Sequence, residues 1–197
     1  MKDADIRDIS IIDALPHWCG STILTVGCGG GRLEWHIACM AQRWRIIATD
    51  VTNQLTYDQE EFVPKHVSEY VSFHKADILD KSTFPVEEAD VVICSEVLEH
   101  LVEWKLALSN LISLATQRVI ITVPFENSYG DNRPPPLGHC NFWSTEPRSP
   151  FMDVSEFHSL SVPYACSVMR IRTKPRDVQM GQWDLLIMID KRQRYEG

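Results

Sequence analysis

The stretch Thr22–Ala38, TILTVGCGGGRLEWHIA, decides the fold. An apolar, partly β-branched run ends at Val26. Gly27, Gly29, Gly30 and Gly31 follow, and then Leu33, Ile37, Ala41 and Trp44 recur at helical spacing. A strand that passes through a glycine turn into a helix gathers free backbone N–H groups and a helix N-terminus at one point. Such a turn suits the polar or anionic groups of a ligand. The dinucleotide fingerprint G-x-G-x-x-G needs a glycine where Arg32 stands. The spacing here is Gly27-x-Gly29-x-Gly31.

Working outward, short apolar runs at Arg45–Thr49, Val71–His74, Asp90–Cys94 and Arg118–Val123 alternate with helical patterns. Residues 5–18 read as a short helix. A second crossover helix covers Trp104–Ala115, with Leu108, Leu111 and Ile112 on one face. The crossover from Thr52 to Tyr70 is polar and holds Pro64. Residues 124–150 form a long Pro-, Asn- and Gly-rich loop, and long loops in compact domains often carry function. Little helix is expected after Trp143. Two strands, Cys166–Thr173 and Trp183–Asp190, close the chain as a hairpin. The expectation is a single α/β domain over residues 1–197, with a mostly parallel sheet and an antiparallel C-terminal strand.

Acidic residues stand at the strand ends. Asp50 closes RIIATD, nineteen positions after Gly31, where a carboxylate can accept both hydrogen bonds of a ribose diol. Asp77 follows the third strand in VSFHKADILD. The fourth strand runs into Ser95–Leu101, SEVLEHL. Together with the glycine turn, these features resemble the class I S-adenosylmethionine-dependent methyltransferases over about residues 20–125, and the reversed terminal strand fits the same Rossmann-like, seven-stranded fold. The resemblance implies S-adenosyl-L-methionine as cofactor. Gly27, Cys28, Gly29 and Gly31 would wrap its methionine end, and Asp50 with Val51 would bind the ribose. Asp77 would accept from the adenine amino group, Ile78 would pack on the ring, and Ser95 and Glu96 would lie alongside. One position departs from the family. An acid usually stands two residues before the first glycine, and here Thr25 does, so its contact to the methionine amino group must be replaced or lost.

Bulk properties narrow the partners. The net charge of −8 disfavours nucleic acid, which is bound through basic patches. No apolar run is long enough for a membrane helix, and the acidic N-terminus does not read as a signal peptide. The six cysteines form no C-x-x-C pair and read as reduced thiols of a cytoplasmic protein.

Methyl transfer from a sulfonium needs an aligned nucleophile, and an oxygen nucleophile must also lose its proton. The catalytic candidates are His139, His100 and Glu99. Glu96, Glu99 and His100 share a face if their stretch is helical. With His139 they offer carboxylate and imidazole ligands to a divalent metal. That set resembles the metal site of small-RNA 3′-terminal 2′-O-methyltransferases and a segment of the ubiquinone-pathway O-methyltransferases. The metal-free reading is favoured. Phe142 and Trp143 serve either as loop packing or as a stacking wall for a ring substrate. The expected reaction is O-methylation of a hydroxylated small molecule or saccharide, in an open site covered by the 124–150 loop or completed by a second copy or partner chain. One alternative is an RNA 2′-O-methyltransferase with a basic patch from Arg133, Arg148, Arg170, Arg172, Lys174 and Arg176. Another is a non-catalytic methyltransferase-like subunit that stabilises a partner.

Overall fold

The computed structural model of the chain describes residues 6–16, 21–40, 44–52, 69–125, 140–141, 143–144, 152–172 and 183–194. Seven strands form one sheet: β1 (Thr22–Val26), β2 (Arg45–Asp50), β3 (Val71–Lys75), β4 (Ala89–Ser95), β5 (Ala115–Pro124), β6 (Tyr164–Arg172) and β7 (Trp183–Arg194). Their order across the sheet is β3-β2-β1-β4-β5-β7-β6. The first five pair in parallel, and β7 runs antiparallel to both β5 and β6. The last strand is therefore inserted between its two neighbours rather than added at the edge.

Strand alternation builds two cores, one on each face of the sheet. Ile23, Ile46, Ile93 and Ile120 point to the face covered by α1 (Ile6–Asp13) and α2 (Arg32–Met40), where Ile11, Trp35 and Ile37 are buried against them. Leu24, Ile47, Val92 and Ile121 point to the opposite face. There they meet α3 (Trp104–Leu114), whose Leu108 and Leu111 face inward at helical spacing. Near-continuous burial along β1, β2 and β4 is what a central parallel sheet covered on both faces requires. Among the described residues no helix is long and apolar enough to cross a membrane.

Two expectations are corrected. A helix does follow Trp143: α4 (Ser155–Ser161) begins where Asp153 accepts from the Ser155 N–H at 2.8 Å. Its only large apolar residues are Phe157, which is buried, and Leu160, so it is too short to show a period. The stretch from Glu96 to His100 is not one helix either. Glu96 has a φ of 57°, and only Leu98–His100 form a single 3₁₀ turn, so the three acidic and basic positions do not share a helical face.

Candidate functional site

The parallel strands end together at one edge, and the glycine turn sits in the middle of it. Gly27 and Cys28 both donate their N–H to the Thr49 carbonyl, at 2.8 and 3.0 Å, which ties the turn to the end of β2. Gly27, Gly29 and Gly31 all have positive φ, at 75°, 51° and 84°. Their surroundings differ. A Cβ on Gly27 would lie 2.2 Å from Val97 Cγ2, and one on Gly31 would meet the Phe73 ring at 3.1 Å. On Gly29 it would meet nothing within 4 Å. A side chain on Gly27 would collide with Val97 and one on Gly31 would crowd the Phe73 ring, whereas Gly29 faces open space.

Asp50 is held by that same turn. Its Oδ2 accepts the Gly29 N–H at 2.9 Å, and its Oδ1 accepts from the N–H and hydroxyl of Thr52, both at 2.8 Å. A carboxylate has about four acceptor sites, so one, on Oδ2, remains for a ribose hydroxyl, and the Thr52 hydroxyl would have to yield its place to a second. The neighbouring Val51 is exposed. Ala76 N–H donates to the Asp50 carbonyl, which brings Asp77 and Ile78 to the same edge. Asp77 Oδ1 accepts the Leu79 N–H at 2.9 Å. Ile78 is 6% exposed and packed in the core, so it offers little surface to a ring.

Beneath the turn lies a cavity of about 180 Å³. Gly27, Cys28, Ser95 and Glu96 line it, Gly29 and Gly31 do not, and Thr25, Arg7, Asp8, Arg32 and Glu34 add to the wall. Nothing local in the sequence marks the last four as lining a site. Arg7 reaches from α1 to Asp184 at 2.6 Å and Glu96 at 3.2 Å, and Asp8 receives Arg32 at 3.2 Å and His36 at 2.9 Å. Ser95 and Thr122 share a hydroxyl hydrogen bond of 2.8 Å at the ends of β4 and β5. Burial pushes the Cys28 thiol up to about 12, helped by the nearby charges of Glu34 and Asp50, so it stays neutral.

The catalytic candidates fall into two groups. Glu99 is 1% exposed, and burial followed by the charge of Glu96 pushes its carboxyl up to about 9. His100 is 46% exposed, with Nε2 3.8 Å from Glu99 Oε1. His139 lies outside the described residues. The next residue, Cys140, donates its N–H to the Glu99 carbonyl, as does Asn141, and the Asn141 amide caps the Leu98 and Leu101 carbonyls at 2.9 and 2.6 Å. Among the described residues no group of three acids, histidines or cysteines could hold a metal ion. Trp143 is fully buried against Trp104 and Phe157, with ring centroids 5.6 Å away in each case, so it packs the loop's end and is no stacking wall. Phe142 lies outside the described residues. Of the suggested basic patch, Arg170 stacks over Phe125 at 4.9 Å, while Arg133, Arg148, Lys174 and Arg176 fall outside the described residues.

A family model described as a methyltransferase domain matches residues 24–121. Among curated proteins, none matches the sequence. The structure is similar to the methyltransferase domain of bacterial CtHen1, at 17% identity and a TM-score of 0.63, over 94% of this chain and 97% of that one. It is also similar to magnesium protoporphyrin IX methyltransferase from Synechocystis PCC 6803 with bound SAH, at 17% identity and a TM-score of 0.65, over 93% and 82% of the two chains. The small RNA methyltransferase HEN1 superposes with a TM-score of 0.69 at 16% identity, over 97% of this chain and 25% of that one. At these identities the likeness is one of fold.

Proposed function

Because the chain belongs to the class I S-adenosylmethionine-dependent methyltransferases, we propose that it methylates a hydroxyl oxygen of a small molecule or saccharide. Bound in the glycine turn, S-adenosylmethionine supplies an electrophilic methyl group on a sulfonium. The fit rests on three features: open space at Gly29, an Asp50 carboxylate fixed by three donors, and a cavity beneath the turn.

The observation that carries the O-methylation reading is the clamp between the long loop and the turn after β4. Cys140 and Asn141 are bonded to Glu99, Leu98 and Leu101, beside the exposed imidazole of His100. An imidazole at this edge can take the proton of an acceptor hydroxyl as its oxygen attacks. His100 and His139 are the proposed bases. Glu99 is buried and holds its own proton near neutrality, so its carboxyl does not meet the acceptor, and its backbone carbonyl holds the loop.

The test is incubation of the protein with methyl-labelled S-adenosylmethionine and three acceptor pools: hydroxylated small molecules, saccharides and RNA. Label is expected as an alkali-stable methyl ether in one of the first two. Label in RNA alone would replace this acceptor class with the nucleic-acid one. His139→Ala should keep its cofactor affinity and lose roughly 10²-fold in turnover, the lower end for a general base. Full activity in that variant would remove His139 from the mechanism.

A further inference from the structure

Glu34 is the least accounted-for charge at the site. It is the third residue of α2, and acids in a first turn usually gain from the helix dipole while remaining in water. This one is 1% exposed and lines the cavity together with Thr25, Gly27 and Cys28. Its Oε2 is buried without a hydrogen-bond partner. The hydroxyl of the adjacent Thr25 favours the charged form, yet it completes no hydrogen bond of good geometry. The other acids around the cavity are matched: Asp8 by Arg32 and His36, Glu96 by Arg7. Among the described residues no cation stands against Glu34 in this way. A buried carboxyl with an open acceptor is costly unless something arrives to pair with it.

We propose that Glu34 binds the α-ammonium of S-adenosylmethionine, so that α2 supplies the carboxylate that β1, with Thr25 in place, does not. This rests on the reading that the cofactor's amino-acid end enters the cavity beneath the glycine turn. The ligand chemistry follows from the pocket. A compact cation with several N–H donors fits an acceptor-only carboxylate, and an α-ammonium next to a nucleoside-binding turn has that character.

The proposal has a pH signature. Without a ligand, burial pushes Glu34 up to about 7, and the charges of Asp8 and Asp50 act in the same direction. The groups around it are Arg7 and Asp8 on α1, Arg32 and His36 on α2, Cys28 in the turn, Asp50 on β2 and Glu96 after β4. A bound ammonium favours the ionised form, so binding expels a proton. Affinity then rises between about pH 6 and about pH 7.5, where the α-ammonium is still largely protonated.

Calorimetry on the full chain tests this with two ligands, S-adenosylmethionine and 5′-methylthioadenosine, which keeps the nucleoside and lacks the amino-acid end. In Glu34→Gln, S-adenosylmethionine should bind about tenfold more weakly at the higher pH, with no proton release, while methylthioadenosine binds as before. Unchanged affinity for S-adenosylmethionine overturns the proposal. Equal weakening of both ligands also overturns it, since Glu34 would then only shape the pocket. Wild-type protein that binds neither ligand defeats the cofactor reading itself. Should the variant not fold, the wild type decides. Proton release with S-adenosylmethionine but not with methylthioadenosine supports the assignment, and no release with either overturns it.

Discussion

Two carboxylates flank the glycine turn, and they are built in opposite ways. Asp50 is half-buried, and its three donors come from Gly29 and Thr52, close to it in the chain or in the turn itself. Glu34 is enclosed by β1, α1 and α2, and its environment depends on residues of the N-terminal helix. One end of the cleft is set by local backbone geometry and the other by long-range packing. Substitutions at the two ends should therefore fail differently. At Arg7, which organises the packed end, they should cost stability; at Asp50 they should cost affinity for every nucleoside ligand, and at Glu34 only for the ligand that carries the amino-acid end.

The largest effect is expected at Arg7. Its guanidinium is mostly buried and bridges Asp184, which is fully buried on β7, to Glu96 on the turn after β4. Removing one partner of a buried ion pair leaves the other charge uncompensated. Arg7→Ala should therefore destabilise the protein by about 3 kcal/mol, read by urea denaturation. A loss below about 1 kcal/mol, the range of exposed pairs, would mean that α1 does not organise this end.

At the local end the expectation reverses. Asp50→Ala removes an acceptor that the Gly29 N–H and Thr52 can exchange for water, so stability should change little. Cofactor affinity should fall by tenfold or more, as befits a charge-assisted contact worth roughly 1.5–3 kcal/mol. The loss should apply equally to S-adenosylmethionine and methylthioadenosine, the pattern opposite to that expected of Glu34→Gln. If only the full cofactor weakened, the diol assignment would be wrong.

The same contrast explains what could be read from the sequence. The strands β1 to β5, the helices α2 and α3 and the placement of Asp50 all follow from periodicity and from distances of a few residues to a glycine or a strand end. Arg7, Asp8 and Glu34 are hard to read as site residues because charged residues on amphipathic helices ordinarily face water. Nothing local distinguishes Arg7 from Lys2 or Arg45, and its partner Asp184 lies 177 positions away. Glu34 carried one usable signal: Thr25 stands where the family has an acid, and a missing carboxylate invites a search for another on the adjacent helix. The turn at Glu96 is not legible in the sequence for a related reason. Its left-handed backbone is imposed by the strand-end geometry, where the Glu96 N–H bonds to the Thr122 carbonyl, and the sequence holds no glycine to announce it.

The smallest effect tests whether burial also governs the acid beneath His100. Burial and the charge of Glu96 hold the Glu99 carboxyl up to about 9, against an ordinary value of 4.5. Between those values the folded protein keeps a proton that the unfolded chain has lost, so stability falls as pH rises across the window. Glu99→Gln is close in shape to the protonated acid and cannot ionise. Its melting temperature should match the wild type near pH 5 and lie measurably above it near pH 8. Glu34 contributes a slope of the same sign, ending near its own value of about 7. The Gln variant should therefore lose stability only up to that point and then level off, while the wild type continues to decline. Parallel pH profiles in the two proteins would show that Glu99 is ionised in the fold, and it would then become a candidate base instead of a buried support.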